Sequence, residues 1–263
     1  MDNRPEILLT NDDGIDSPGF RALHDALSEV GNVTGVAPAT DQSAVGRAMS
    51  DEVGVTEHEL GYAVEGTPAD CVVAGLQSLG PYPDLVVSGC NTGANLGAYV
   101  LGRSGTVSAA VEAAFFGVPA IAASLYVPVG DVTWGEFEPD PGDYAEAVRA
   151  TTHLAEAALG AGVFEAADYL NVNAPMPDGE PAPMEVTRPS HVYDMDATRD
   201  DGVVTLHDRI WERMAEGDVP DPEGTDRRAV AEGRVSVSPL TAPHSVERHP
   251  QLDALAAEYP GNE

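Results

Sequence analysis

The stretch ILLTNDDGIDSPGF, residues 7–20, decides the fold. Its opening apolar run reads as a strand over Glu6–Thr10, and Ser17 followed by Pro18 starts a helix, the serine as N-cap and the proline at the first helical position. A strand apolar on successive residues belongs in a sheet covered on both faces. Between strand and helix stand Asp12 and Asp13, adjacent carboxylates just past the strand's carboxyl end, where open α/β sheets bind ligands. Like charges side by side raise each other's pKa unless something positive sits between them. A bound cation is one reading of the pair. The other is turn chemistry, although Asp16 and Ser17 serve that purpose unaided.

Outward from this unit the alternation continues. The pattern predicts a helix over Pro18–Ser28, a strand over Asn32–Ala37, and a hairpin within Glu52–Val64. A helix over Pro68–Leu79 capped by Thr67 follows, then a buried strand in DLVVSG (84–89), a helix over Ser108–Phe116 and a strand in PAIAAS (119–124). A loop rich in Pro, Gly and Asp over 126–142 precedes a helix over Tyr144–Leu159 and a core strand in YLNVNAP (169–175). Strands alternating with helices imply a mainly parallel sheet in an α/β architecture. After residue 184 the segments Met184–Tyr193, Gly202–Leu206 and Arg234–Val237 alternate like antiparallel strands, and Gln251–Glu258 resembles a terminal helix. The expected organisation is a core over 1–183 and a β-rich extension over 184–263.

The charge balance is extreme: 44 acidic against 13 basic residues give a formal net charge of −31, and every basic residue is Arg. In dilute salt such a surface repels itself, and screening by concentrated salt relieves it. The composition points to a salt-accumulating cytoplasm, and it excludes the basic stripe of a nucleic-acid groove. No apolar run is long enough to span a bilayer, and the polar start MDNRPE is unlike a secretory signal. Cys71 and Cys90 stand apart from each other, and the seven histidines are scattered. Neither residue type shows the spacing of a zinc or redox site.

Two further stretches can carry chemistry. SGCNTGANLG (88–97) follows a buried strand and places Asn91 and Asn95 among glycines, as neutral oxygen ligands or amide donors. It lacks the Gly-Lys-Ser/Thr ending of a P-loop. RSGTVSAA (103–110) sets hydroxyls at a helix start, where backbone N–H groups and the dipole favour phosphate. Ordinary N-capping by Thr106 competes. Carboxylates, an amide and a hydroxyl make a hard oxygen site suited to Mg²⁺, Mn²⁺ or Ca²⁺. Beside a phosphate-binding helix start, such a site suits metal-assisted hydrolysis of a phosphate ester.

These residues closely resemble the SurE (survival protein E) family of 5′/3′-nucleotidases. The match is carried by LLTNDDGIDSPG (8–19), APATDQSAVG (37–46), GTPADCV (66–72), SGCNTGANLG with SGTVSAAVEA (88–113), NVNAP (171–175) and TDRRAVAEGRVSVSPL (225–240). The resemblance implies a three-layer α/β/α Rossmann-like core whose C-terminal extension builds homodimers or homotetramers. It implies one divalent metal, Mg²⁺ or Mn²⁺, on Asp12, Asp13, Ser43 and Asn91. On this reading one of Asp12 and Asp13 would also handle protons, and Asn95, Ser104, Gly105 and Thr106 would orient the phosphate oxygens by hydrogen bonds. The implied substrate is a nucleoside 5′- or 3′-monophosphate, with short polyphosphate as a second substrate. The alternatives are a nucleotide-binding sensor without turnover and an aspartyl-phosphate phosphatase. YVLGRSG (99–105) departs from the family's tyrosine-bearing approach to Ser-Gly-Thr, and Cys90 stands where an aliphatic residue is usual.

Overall fold

The computed structural model describes residues 4–128, 137–242 and 250–258. Part of the loop expected over 126–142 therefore lies outside the described residues. Six parallel strands form the centre of the sheet: β1 (Glu6–Thr10), β2 (Asn32–Pro38), β4 (Gly61–Glu65), β5 (Leu85–Thr92), β6 (Ala120–Tyr126) and β7 (Tyr169–Pro175). They lie in the order β4-β2-β1-β5-β6-β7. An antiparallel β3 (Gly54–His58) completes the hairpin on one edge.

On the other edge β11 (Val235–Leu240) runs antiparallel to β7, and the short β8 (Met184–Val186) pairs parallel with β11. Two strands read from the sequence as part of the extension thus belong to the main sheet. A separate hairpin, β9 (Met195–Asp200) with β10 (Val203–Asp208), stands apart from it.

Side-chain alternation along each strand sorts the core into two layers. Ile7 and Leu9 of β1, Leu85 and Val87 of β5, and Leu170 and Val172 of β7 face α1 (Pro18–Val30) and α4 (Ala145–Ala157). Leu8, Val86 and Ala120 point the other way, to α2 (Pro68–Gln77) and α3 (Gly105–Phe115). A strand flanked on both sides by helices must be apolar at every position, which explains the unbroken runs.

The local start signals act as the sequence predicts. Ser17 Oγ caps α1 by accepting the Phe20 N–H, and Thr67 with Asp70 closes a reciprocal capping box on α2. The α3 helix begins three residues earlier than expected, because Ser104 caps it by accepting the Val107 N–H at 3.1 Å. Three elements had no clear sequence signal: β9, α5 (Arg209–Ala215) and α6 (Asp226–Ala231). Both helices are shorter than two full turns, too short to display a periodic apolar face. The terminal helix α7 spans Pro250–Ala257. Among the described residues no helix is long and apolar enough to cross a membrane.

Candidate active site

The carboxyl ends of β1 and β5 and the start of α3 converge on a cavity of about 540 Å³. Asp12, Ser43, Asn91, Asn95 and Ser104 all line it. Residues separated by as much as 92 positions in the chain are brought together because the three loops that follow β1, β2 and β5 leave neighbouring strands on the same side.

Asp12 is 4% exposed and is held by α3: Thr106 Oγ1 donates to Asp12 Oδ1 at 2.6 Å. Gly105 makes this approach possible, since a Cβ there would lie 2.8 Å from Asp12 Cβ and from Oδ2. Asp13 turns toward β5 and accepts the Thr92 N–H at 3.0 Å. Ser43 lies in the loop after β2, and both its N–H and its hydroxyl donate to Asp41 Oδ1, at 2.7 and 2.6 Å. With its hydrogen directed at Asp41, the Ser43 oxygen keeps lone pairs for another partner. Asn91 Nδ2 donates to the Gly93 carbonyl, which likewise leaves the side-chain oxygen as an acceptor.

The electrostatics of the pair are those of carboxylates without a counterion. Burial pushes the Asp12 carboxyl up, partly opposed by the Thr106 hydrogen bonds. Burial and then the Asp12 charge push Asp13 up to about 7, against the Thr92 N–H. No Arg is among the leading causes of either shift. The donor set suits a hard divalent cation: two carboxylates plus the neutral oxygens of Ser43 and Asn91. Among the described residues no three His, Cys, Asp or Glu side chains gather at one point, so neutral oxygens would have to complete such a site.

The residues expected to meet phosphate divide into two groups. Ser104 lines the cavity as the N-cap of α3, and Gly105 is the first helical residue. Thr106 instead spends its one hydroxyl hydrogen on Asp12. Asn95 lines the cavity with Nδ2 donating to Ser124 Oγ at 2.9 Å.

Several supporting residues were not singled out from the sequence. Asn173 Oδ1 accepts the Asn95 N–H at 2.7 Å, while the amides of Asn171 and Asn173 donate to the Asn95 carbonyl at 2.9 and 3.2 Å. Both asparagines sit on β7, in the NVNAP stretch, and interrupt an otherwise apolar strand; that interruption was the available signal. Asp226 Oδ2 accepts the Gly97 N–H at 2.7 Å. Arg227 is fully buried, pairs with Asp221 at 3.0 Å and donates to the Val192 carbonyl at 2.9 Å. Gly97 has φ +88° and packs against this guanidinium, where a Cβ would lie 2.2 Å from Nη2. Arg103, from the divergent YVLGRSG stretch, also lines the cavity.

The family model described as Survival protein SurE matches residues 7–195. The chain is 69% identical to the 5′-nucleotidase SurE of Natronomonas pharaonis over 97% of this chain and 99% of that protein. It is 67% identical to the 5′-nucleotidase SurE of Haloarcula marismortui, over 98% and 96% of the two chains. The crystal structure of SurE protein from Aquifex aeolicus superposes with a TM-score of 0.74 at 33% identity, covering 92% of this chain and 95% of that one.

Proposed function

Because the chain belongs to the survival protein SurE family, we propose that it is a 5′-nucleotidase, hydrolysing nucleoside monophosphates to nucleoside and inorganic phosphate. The observation that carries this reading is a cavity lined by the buried Asp12 carboxylate, which has no cationic side-chain partner among the described residues, and by Ser104, the cap of α3, with Asp13 adjoining Asp12 against β5. Relatives that carry the name of a hydrolase favour turnover over a binding-only sensor.

The reaction needs an anionic phosphoryl group held in line with a water. Asp12, Asp13, Ser43 and Asn91 would hold one divalent ion, Mg²⁺ or Mn²⁺. Such an ion, when bound, offsets phosphoryl charge and acidifies water. The chain supplies the rest. Ser104 Oγ, the Gly105 N–H and the remaining N–H of the Asn95 amide orient the phosphate oxygens, aided by the positive end of α3. Thr106 acts through Asp12, whose position it fixes. One carboxylate of the pair also accepts the proton released by the attacking water. Asn171 and Asn173 hold the Asn95 backbone, so the glycine-rich loop keeps its shape as substrate enters.

We also assign residues 184–263 to subunit contacts in a homodimer or homotetramer. In support, Val204 and Leu206, two apart on one face of the detached β9–β10 hairpin, are 56% and 70% exposed, an uncommon state for neighbouring large apolar side chains. Light scattering in molar KCl measures the subunit number, and a monomer at all concentrations would refute the assignment.

Phosphate release from a panel of 5′- and 3′-nucleotides and short polyphosphate, with Mg²⁺, Mn²⁺ and Co²⁺ in molar KCl, tests the function. Metal-dependent release from nucleoside monophosphates is expected. No release with any of these metals would overturn the reading.

A further inference from the structure

The cavity's lining combines two chemistries. Asp12, Asn91 and Ser104 supply oxygens and an amide, while Val100, Val127 and Trp211 supply apolar surface. Resting on the nucleotidase reading, we propose that this apolar part of the lining is the nucleobase subsite and that Trp211 is the platform on which the base stacks.

The argument is one of reach and fixation. A phosphomonoester anchored on the oxygen-rich lining must place its organic part in the same cavity, and the rest of that lining includes two branched aliphatic side chains and an indole. A sugar or a phosphate chain gains little from such a surface. A planar base gains both burial and stacking.

Trp211 is also tied to the glycine-rich loop. It sits on α5, whose neighbouring residues Ile210 and Met214 are buried with Leu96 from the glycine-rich loop. Asp208 caps this helix by accepting the Ile210 N–H at 3.2 Å, and its other oxygen accepts the Tyr99 hydroxyl at 2.7 Å. Tyr99 lies two residues beyond Gly97, which Asp226 grips. One loop therefore carries Asn91 and Asn95 at one end and fixes the helix of the indole at the other. Stacking strength grows with the area of overlap, so purine nucleotides are expected to bind more tightly than pyrimidine ones.

Two measurements in molar KCl test this. The first is the ratio of kcat/KM for AMP to that for ribose 5-phosphate, which lacks a base, in the parent, Trp211→Ala and Trp211→Phe proteins. The ratio is expected to fall by about tenfold in the alanine variant and to stay within a few-fold of the parent value in the phenylalanine variant. The second is tryptophan emission in a Trp134→Phe background, which leaves Trp211 as the single indole. Adenosine, which carries the base but no scissile phosphate, is expected to quench it, whereas ribose 5-phosphate is not. An unchanged selectivity ratio in Trp211→Ala together with no quenching by adenosine would overturn the proposal, even if AMP is hydrolysed. Quenching by adenosine without any hydrolysis of AMP would uphold the base subsite and remove the nucleotidase reading. Should Trp211→Ala fail to fold, the emission measurement on the Trp134→Phe protein decides alone.

Discussion

Thr106 donates its hydroxyl hydrogen to Asp12 Oδ1 at 2.6 Å, so the first turn of α3 grips the carboxylate that ends β1. The helix start and the acidic pair form a single unit. Asp12→Asn keeps the volume and an acceptor for Thr106 but removes the charge. Phosphate release from AMP is expected to fall more than about 100-fold. A thermal melt with added Mn²⁺ supplies the second readout: the ion stabilises a native state that binds it, so Tm rises in the parent and not in the variant.

Gly105→Ala tests the same contact without touching a ligand. The added methyl would lie 2.8 Å from Asp12 Oδ2 and Cβ, and the carboxylate must shift to admit it. Mn²⁺ affinity, read by titration, is expected to weaken about tenfold or more, with the circular dichroism spectrum of the parent retained.

The pH dependence of the metal-free protein follows from Asp13. Its carboxyl is raised from 3.8 to about 7 by burial and by the Asp12 charge, so the native state holds this proton more tightly than the unfolded chain does. The associated stability is present at low pH and is lost as pH rises from 3.8 towards 7. At pH 8 without metal, Asp13→Asn is expected to be more stable than the parent by on the order of 1–3 kcal/mol. The difference closes toward pH 4 and reverses with excess Mn²⁺. Denaturant melts across this range check the sign.

Asn171→Ala or Asn173→Ala removes part of the grip on the Asn95 backbone while leaving every proposed metal ligand in place. Asn173→Ala buries an unsatisfied Asn95 N–H, at a cost of about 1–3 kcal/mol, whereas Asn171→Ala removes one of the two donors to the Asn95 carbonyl. With the glycine-rich loop loosened, kcat/KM for AMP is expected to drop about tenfold or more, most steeply in the double variant, because a small misplacement of reacting groups is costly.

Net charge −31 sets the solvent requirement. Denaturation midpoints are expected to be markedly higher near 3 M KCl than near 0.1 M, because the Debye length shortens from roughly 10 Å to a few ångströms. Equal midpoints at the two salt concentrations would refute a surface adapted to concentrated salt.

Most of the central sheet was legible in the sequence, since buried parallel strands are short apolar runs and Ser17, Thr67 and the prolines beside them mark helix starts locally. The acidic pair was legible for the same reason: its position follows from where β1 ends. What was hidden depends on distant partners. Thr106 reads as a phosphate donor or an N-cap until Asp12 is seen beside it. Asn171 and Asn173 read as part of a strand, and only the return of the chain through β5 shows what they hold. Ser43 is an ordinary loop serine in isolation, identified through family likeness alone. That β11 joins the main sheet beside β7 was hidden for the same reason, because its alternation marks an antiparallel strand but not the partner it pairs with.

The Asp226 carboxylate reaches the Gly97 amide across 129 positions of sequence. A nascent chain emerging from the ribosome presents Asp12 and Asp13 early, but the carboxylate that locks the glycine-rich loop is made 129 positions after Gly97. The final shape of the loop therefore waits for a segment made long after it.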